Sequence, residues 1–483
     1  MLFYLKYKST AHTKEHEQIA NNVIYCQLQS SGCMAKILIE TYGCTLNQAD
    51  SRIMAGILRS KGNSVDLGNY GDKEAQRSNS GYDYVIVNTC TVKTPTEQKI
   101  LSKLSTMRNL GSRLIVAGCL ASASPEKVEK VVPNANIINT TSIANIAEVI
   151  ESAEKGIRTV DKTYHRLDKL AFYNGGFGTV AKIPISEGCL SNCTFCETKF
   201  ARGPLNSFSE ELIIRAVENE VRNGAKEIEL TAQDTGAYGL DKRTNIAELV
   251  GKVAEIEGEF MIRIGMLNPE HLHRYFDELI EAYGNSKVYK FVHLPVQSGS
   301  NKVLREMRRN YTIEEFEEYV KELRNKIKGI SLETDMIVGY PTESNADFEE
   351  SIKMLNRVKP EITNVSKFGA RPHAEASMLA QLPNSEIKTR SIEMSRVVRR
   401  IQYEIRSGFV GTKQRVIVTE RHEGYVQGRT NSYLAVVLNN TGIPVGSFIT
   451  SKITGNTSTC LIGEEIKEEI EASGQAESKV STA

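Results

Sequence analysis

Tryptophan is absent from the chain, so tyrosine and phenylalanine supply all its aromatic surface. Cysteine is scarce, with nine in 483 residues, too few for a disulfide scaffold. No apolar run approaches the roughly 20 residues that a membrane-spanning helix needs. The N-terminal text, MLFYLKYKSTAHTKEHEQ, has no apolar core or cleavage site of a signal peptide. Charge of one sign is not in excess either: 60 Lys and Arg stand against 59 Asp and Glu, net +1. No global field therefore draws in nucleic acid, and only a local basic patch would do so. What remains, 40% hydrophobic and 25% charged, is a soluble globular composition of two to four domains. A cytoplasmic setting follows, and in it cysteines at fixed spacings bind metal or act chemically.

Along the chain, residues 1–34 are polar and unpatterned, and Met34 stands directly before the first strand run, KILIE. A translation start at Met34 is consistent with this, and Cys26 and Cys33 are read as bystanders. From 35 to 150 apolar strand runs (36–40, 84–88, 114–117) alternate with helical segments (48–61, 97–110, 125–131), which implies a parallel, Rossmann-like sheet. Residues 151–178, charged and then Gly-rich, read as a linker. From 179 to 405 strands at 183–186, 227–231, 261–264, 291–294, 333–338 and 364–368 again alternate with helices. Six such units suggest a partial (β/α)6 barrel, whose chemistry sits at the C-terminal ends of its strands. After an arginine-rich helix, 406–465 shows short alternating strands and reads as a small antiparallel β-barrel. The acidic tail, 466–483, follows. The fold class is α/β.

The strongest chemical signal is GCLSNCTFC, which places Cys189, Cys193 and Cys196 at C-x3-C-x2-C spacing. Three thiolates on one short loop can each bind a different iron of a [4Fe–4S] cluster. A closed zinc site wants a fourth ligand, and no Cys or His lies near enough in sequence to supply it. Three ligands leave one iron open for the amino and carboxylate groups of S-adenosylmethionine, and the preceding strand puts the loop at the barrel mouth.

Cys44, Cys90 and Cys119 each lie just past a strand run: KILIETYGC, YVIVNTC and LIVAGC. Side chains at the C-terminal ends of neighbouring parallel strands converge on one crevice. On this ground alone a second cluster and three buried small hydrophobes are equally good readings.

TYGCTLNQADS, NTCTV and AGCLA resemble the N-terminal domain of the methylthiotransferases, and EGCLSNCTFCETKFARG is similar to their radical S-adenosylmethionine loop. HLPVQSGSNKVLREMRRNYT, TDMIVGYPTES and ARPHAEAS resemble later blocks, and the last barrel their TRAM domain. LTAQDTGAYG and ETKFARG look like the archaeal and eukaryotic branch that acts on N6-threonylcarbamoyladenosine beside the tRNA anticodon. The resemblance implies two [4Fe–4S] clusters, the second on Cys44, Cys90 and Cys119. It also implies two S-adenosylmethionine molecules per product, one giving a methyl group and one a radical that takes hydrogen from C2 of adenine. An electron donor and a sulfur source are implied partners, with a monomer as the simple state. Gly369 and His373 stand where other branches of the family tend to have small or hydroxyl residues, and the tail carries no membrane anchor of the kind some eukaryotic relatives have, so a soluble archaeal-type member is expected.

Candidate S-adenosylmethionine contacts at the strand ends are Thr231, Gln233, Asp234, Arg263, His293, Gln297, Asp335 and Gly339, the last for close backbone approach to adenine. The threonyl carboxylate asks for a cation, or desolvation would reject it. Lys199, Arg202 and Arg371 are the candidates. In the last barrel Arg406, Lys413, Arg415, Arg421, Arg429 and Lys452 face only Glu420 and Glu423, and Tyr425 and Tyr433 offer stacking surface for RNA bases. Two other readings stand beside the leading one: a methylthiotransferase acting on another adenosine modification or on a ribosomal-protein aspartate, and a non-catalytic iron–sulfur protein that binds RNA.

Overall fold

The computed structural model describes residues 34–69, 81–91, 94–176 and 178–466. Cys26, Cys33 and nearly all of the acidic tail lie outside them. Among the described residues no helix is long and apolar enough to cross a membrane.

The first sheet has six strands, β1 (Lys36–Thr41), β2 (Ser64–Asn69), β3 (Tyr84–Thr89), β4 (Leu114–Gly118), β5 (Asn136–Ile138) and β6 (Val160–Asp161). All pairs are parallel, in the order β2-β1-β3-β4-β5-β6. Every residue of β3 and five of six in β1 are buried, the pattern of strands covered on both faces by helices. Strand order reverses between β1 and β3, and a doubly wound sheet opens its crevice at that point. Sequence reading finds β1, β3 and β4 but not the other three. SVDLGN is largely polar, and three-residue NII and two-residue VD carry too little periodicity. The expected linker is likewise built in. Helix Ile146–Glu154 and β6 enter it, and Lys169 is buried in its 3-10 turn, Lys169–Phe172.

The second unit alternates β7 (Val180–Pro184), β10 (Glu227–Thr231), β11 (Met261–Ile264), β12 (Phe291–His293), β13 (Ser331–Val338) and β14 (Ile362–Lys367) with helices. Two short strands, β8 (Ser186–Glu187) and β9 (Asn206–Ser207), pair antiparallel beside β7. The six main strands form two parallel sheets, β7-β10-β11 and β12-β13-β14, joined through a parallel bridge between Ile262 and Val288. This is the expected open (β/α)6 barrel around one large apolar core.

The third unit is a closed barrel of β15 (Lys413–His422), β16 (Tyr425–Thr430), β17 (Ala435–Leu438), β18 (Phe448–Asn456) and β19 (Leu461–Glu465). It is antiparallel as expected except for the parallel β17–β19 pair. It seats against the N-terminal ends of the large barrel's strands. Tyr433 Oη lies 3.0 Å from Glu227 Oε1 and 3.1 Å from Glu229 Oε1, and Lys290 N–H donates to Asn431 O at 2.8 Å. Tyr433 is therefore a buried plug rather than a stacking surface, which corrects the expectation for it. The basic face is smaller than the composition suggests: Arg406 is buried on carbonyls, Arg415 pairs with Glu259 at 2.8 Å, and Arg429 sits over the Tyr433 ring. Lys413 and Lys452, register partners on β15 and β18, remain exposed side by side.

Candidate active site

Cys189, Cys193 and Cys196 follow β7 and β8 on one loop. Gly188 turns the chain there at φ +74, and a Cβ would meet the Pro204 carbonyl oxygen at 2.1 Å. The loop is fastened from several elements. Cys189 N–H donates to Gly203 O at 3.2 Å, and Thr194 N–H to Met307 O at 3.2 Å. Ser191 Oγ donates to Glu270 at 2.9 Å and accepts from Asn268 at 3.0 Å, and Asn310 holds Glu270 from the far side at 2.6 Å. Arg309 Nη1 lies 3.6 Å from Cys193 Sγ, and Ser191 N–H donates to Cys189. Burial, reinforced by Asp234 and the neighbouring thiols, pushes the free Cys189 thiol well up, so cluster binding must displace its proton. Asn268, Glu270, Asn310 and Arg309 escape sequence reading, because each is a common loop polar residue far from the cysteines in the chain.

The second triad sits at the crevice of the first sheet. Cys44 caps helix Thr45–Ser60, Cys90 follows β3, and Cys119 opens helix Cys119–Ala123. Asn47 Oδ1 lies 3.3 Å from Cys44 Sγ and 3.9 Å from Cys119 Sγ. The glycines before two of these cysteines are steric requirements. At Gly43 (φ +112) a Cβ would stand 3.0 Å from Cys90 Sγ, and at Gly118 (φ +91) 2.3 Å from Asn88 Oδ1. Cys90 and Cys119 are buried while Cys44 is exposed, leaving one side open. Burial pushes the Cys119 thiol up to about 12, opposed by the adjacent Arg202. Among the described residues, no three His, Cys, Asp or Glu side chains close around a point as one metal ion would require. A cubane takes each thiolate on a different iron, and cationic and N–H donors aimed at sulfur suit its anionic ligands, so both triads fit that group.

The two triads are joined. Arg202, fully buried, donates from Nε to Cys119 Sγ at 3.2 Å, from Nη1 to Glu187 at 2.8 Å, and from Nη2 to Asn47 at 3.0 Å and Asp50 at 2.8 Å. Lys169 completes this ion cluster, 2.7 Å from Asp50 and in contact with Glu187. Thr91, beside Cys90, donates to Glu197, beside Cys196. The expectation that Arg202 reads a substrate carboxylate is therefore corrected, since it has no surface to offer and each of its three nitrogens is already bonded inside the protein. Arg371 is also buried, 3.1 Å from Glu97, which Lys127 approaches at 2.6 Å. Lys199 keeps partial exposure, its ammonium donating to Leu190 O at 3.0 Å and Asn192 at 2.8 Å.

At the mouth, Thr231 ends β10, followed by Gln233 and Asp234. Gln233 Oε1 and Asp234 Oδ2 are buried without a hydrogen-bond partner, and His271 lies 3.4 Å from that Asp234 oxygen without the alignment of a hydrogen bond. His293 and Asp335 come together at 3.0 Å, with Asn364 donating to Asp335 at 2.8 Å. Gln297 is stitched to β13 through its backbone at φ +72. Two expectations change. Arg263 is turned toward the plugged end, over Phe291 and Tyr433 and between Glu229 and Glu333. Gly339 (φ +78) is required because a Cβ would stand 2.6 Å from Ile387 of helix Asn384–Ser407, a packing reason rather than a ligand one.

Comparison with known proteins matches residues 183–355 to the Radical SAM superfamily and residues 36–140 to the uncharacterized protein family UPF0004. A probable threonylcarbamoyladenosine tRNA methylthiotransferase of Pyrococcus abyssi is 43% identical over 89% of this chain and 99% of its own length. The threonylcarbamoyladenosine tRNA methylthiotransferase of Drosophila melanogaster is 32% identical over 90% of this chain and 78% of its own. Among solved structures, the radical S-adenosylmethionine methyltransferase TsrM of Kitasatospora setae superposes with a TM-score of 0.53 at 12% identity, over 71% of this chain and 77% of that one. That last likeness is one of fold.

Proposed function

The chain belongs to the threonylcarbamoyladenosine tRNA methylthiotransferase family, and from that premise we propose that its two cysteine triads form one sulfur-inserting centre acting on tRNA. It is a radical S-adenosylmethionine enzyme that converts N6-threonylcarbamoyladenosine in tRNA to the 2-methylthio derivative. The observation that carries this is relatedness along almost the whole Pyrococcus abyssi protein, both cysteine-bearing domains included.

Cys189, Cys193 and Cys196 would hold the [4Fe–4S] cluster that takes S-adenosylmethionine; Cys44, Cys90 and Cys119 would hold a second. When bound, these groups supply a carbon radical for the unactivated C2–H bond and sulfur for the carbon left behind. The protein's own residues set the geometry. Ser191, Asn268, Glu270 and Asn310 fix the first loop, and Gln233 and Asp234 present acceptors suited to the methionyl ammonium. Arg202 and Lys169 neutralise Asp50 and Glu187 between the triads, so the domains meet without an uncompensated buried charge. Burial of Cys90 and Cys119 keeps water from that side. A cytoplasmic monomer served by a separate electron donor and sulfur source completes the proposal.

Nucleoside mass spectrometry of tRNA from cells lacking this protein tests the reading. The expected result is loss of 2-methylthio-N6-threonylcarbamoyladenosine with its precursor retained; an unaltered profile would overturn it.

A further inference from the structure

Helix Thr198–Arg202 sends Arg202 inward to Cys119 and carries Phe200 outward. Phe200 is 58% exposed, a large apolar surface left open beside the cysteine loop. It is not loose. Its ring stacks on the His373 imidazole with centroids 3.7 Å apart and planes 10° from parallel. His373 Nε2 lies 2.8 Å from the Ala123 carbonyl oxygen; a carbonyl only accepts, so Nε2 carries a proton, and the imidazole is oriented from its far edge. Ala123 ends the helix that Cys119 begins. One face of Phe200 is thus covered by a ring held from the second triad's helix, and Phe200 itself rides on the short helix that follows the first triad. With that face covered, the exposure comes from the other face and the edge.

The surroundings favour an occupant with an apolar face. Leu190 is 41% exposed on the cysteine loop, and Met378 and Leu379 are 82% and 41% exposed just beyond Ala376, whose N–H donates to Thr194 O at 2.9 Å. Apolar side chains from two segments therefore rim the loop. Nothing in the chemistry above uses His373.

We propose that Phe200, backed by His373, is a stacking platform for a nucleobase of the RNA loop that carries the target adenosine. This rests on the tRNA reading. Stacking serves an RNA loop well because any base has a π-face and unstacked loop bases are exposed. The platform would hold a base next to the target, so that the modified adenosine enters the space between the triads.

Absence of tryptophan makes the test direct, since Phe200→Trp gives full-length, cluster-reconstituted protein a single indole at the platform. Titration with an anticodon stem–loop RNA should quench its emission. By fluorescence anisotropy, Phe200→Ala should bind that RNA about 5- to 150-fold more weakly, and Phe200→Tyr within about threefold of the unaltered protein. Unaltered protein that binds no stem–loop counts against the tRNA reading and this one together. Tight binding by both unaltered protein and Phe200→Ala, with Phe200→Trp emission unmoved by RNA, overturns the platform alone.

Discussion

Arg202 Nε stands 3.2 Å from Cys119 Sγ, so a side chain from the short helix after the first cysteine triad touches a cysteine of the second. The same guanidinium spans Asp50 and Glu187, each at 2.8 Å. Replacing it by methionine leaves two buried carboxylates to share Lys169. Loss of one partner from a buried pair costs about 3–5 kcal/mol. Arg202→Met should lower the free energy of unfolding in urea by that order, and a loss near zero would show that the ion cluster is not structurally engaged.

The triads are expected to separate chemically. Cys90→Ala should retain about four iron atoms per chain, all on the first loop, and still release 5′-deoxyadenosine from S-adenosylmethionine, while methylthiolated product disappears. Cys193→Ala should abolish both. Iron assay with chromatographic product analysis checks this, and loss of 5′-deoxyadenosine in Cys90→Ala would contradict a division of labour.

Part of the site is legible in the sequence because it is local. C-x3-C-x2-C is complete within eight residues, and strand runs ending in Cys44, Cys90 and Cys119 place three thiols at one sheet edge. Arg202 misleads because its partners are remote: Asp50 is 152 positions away, and in the sequence an arginine looks the same whether it meets a substrate or an internal carboxylate. Tyr433 misleads similarly. An aromatic on a small barrel suggests a base platform, but Tyr433 is oriented by Glu227 and Glu229, more than 200 positions upstream. Phe200 signals nothing in sequence, since its exposure depends on where His373 lands.

The residue before Cys119 has to be glycine, and the reason is measurable. Gly118 sits at φ +91 and ψ −164, a region essentially reserved for glycine. Alanine there costs about 1–3 kcal/mol in backbone strain before its Cβ meets Asn88 Oδ1 at 2.3 Å. Gly118→Ala should lower the melting temperature and the iron content of the second site; unchanged values would refute the steric argument.

The plugged end of the large barrel predicts a pH dependence. Burial, then the neighbouring Glu229 charge, raises Glu227 to about 7. A phenol has one proton, so Tyr433 can donate to only one of its two carboxylates, and a protonated Glu227 can donate in return. A folded-state value above the unfolded one means stability falls as pH rises from about 4.5 to about 7, then levels, by roughly 3 kcal/mol for a shift of this size. Glu227→Gln should flatten that slope and raise the melting temperature at pH 8. Parallel pH–melting curves for the two proteins would dismiss the proton on Glu227.

With Arg202 and Arg371 both buried in ion pairs, Lys199 is the candidate cation left to meet a substrate carboxylate. Its ammonium caps Leu190 O and Asn192 across the cysteine loop, which keeps it at the mouth while a third proton stays available for an anion. A charge-assisted bond to the threonyl carboxylate is worth about 1.5–3 kcal/mol. Lys199→Met should therefore raise KM for threonylcarbamoylated tRNA by roughly 10- to 150-fold. Binding of the same tRNA lacking the threonylcarbamoyl group should hardly change. Lys199→Arg, with charge retained, should recover most of the discrimination. Equal losses for both tRNAs would mean that Lys199 only braces the loop.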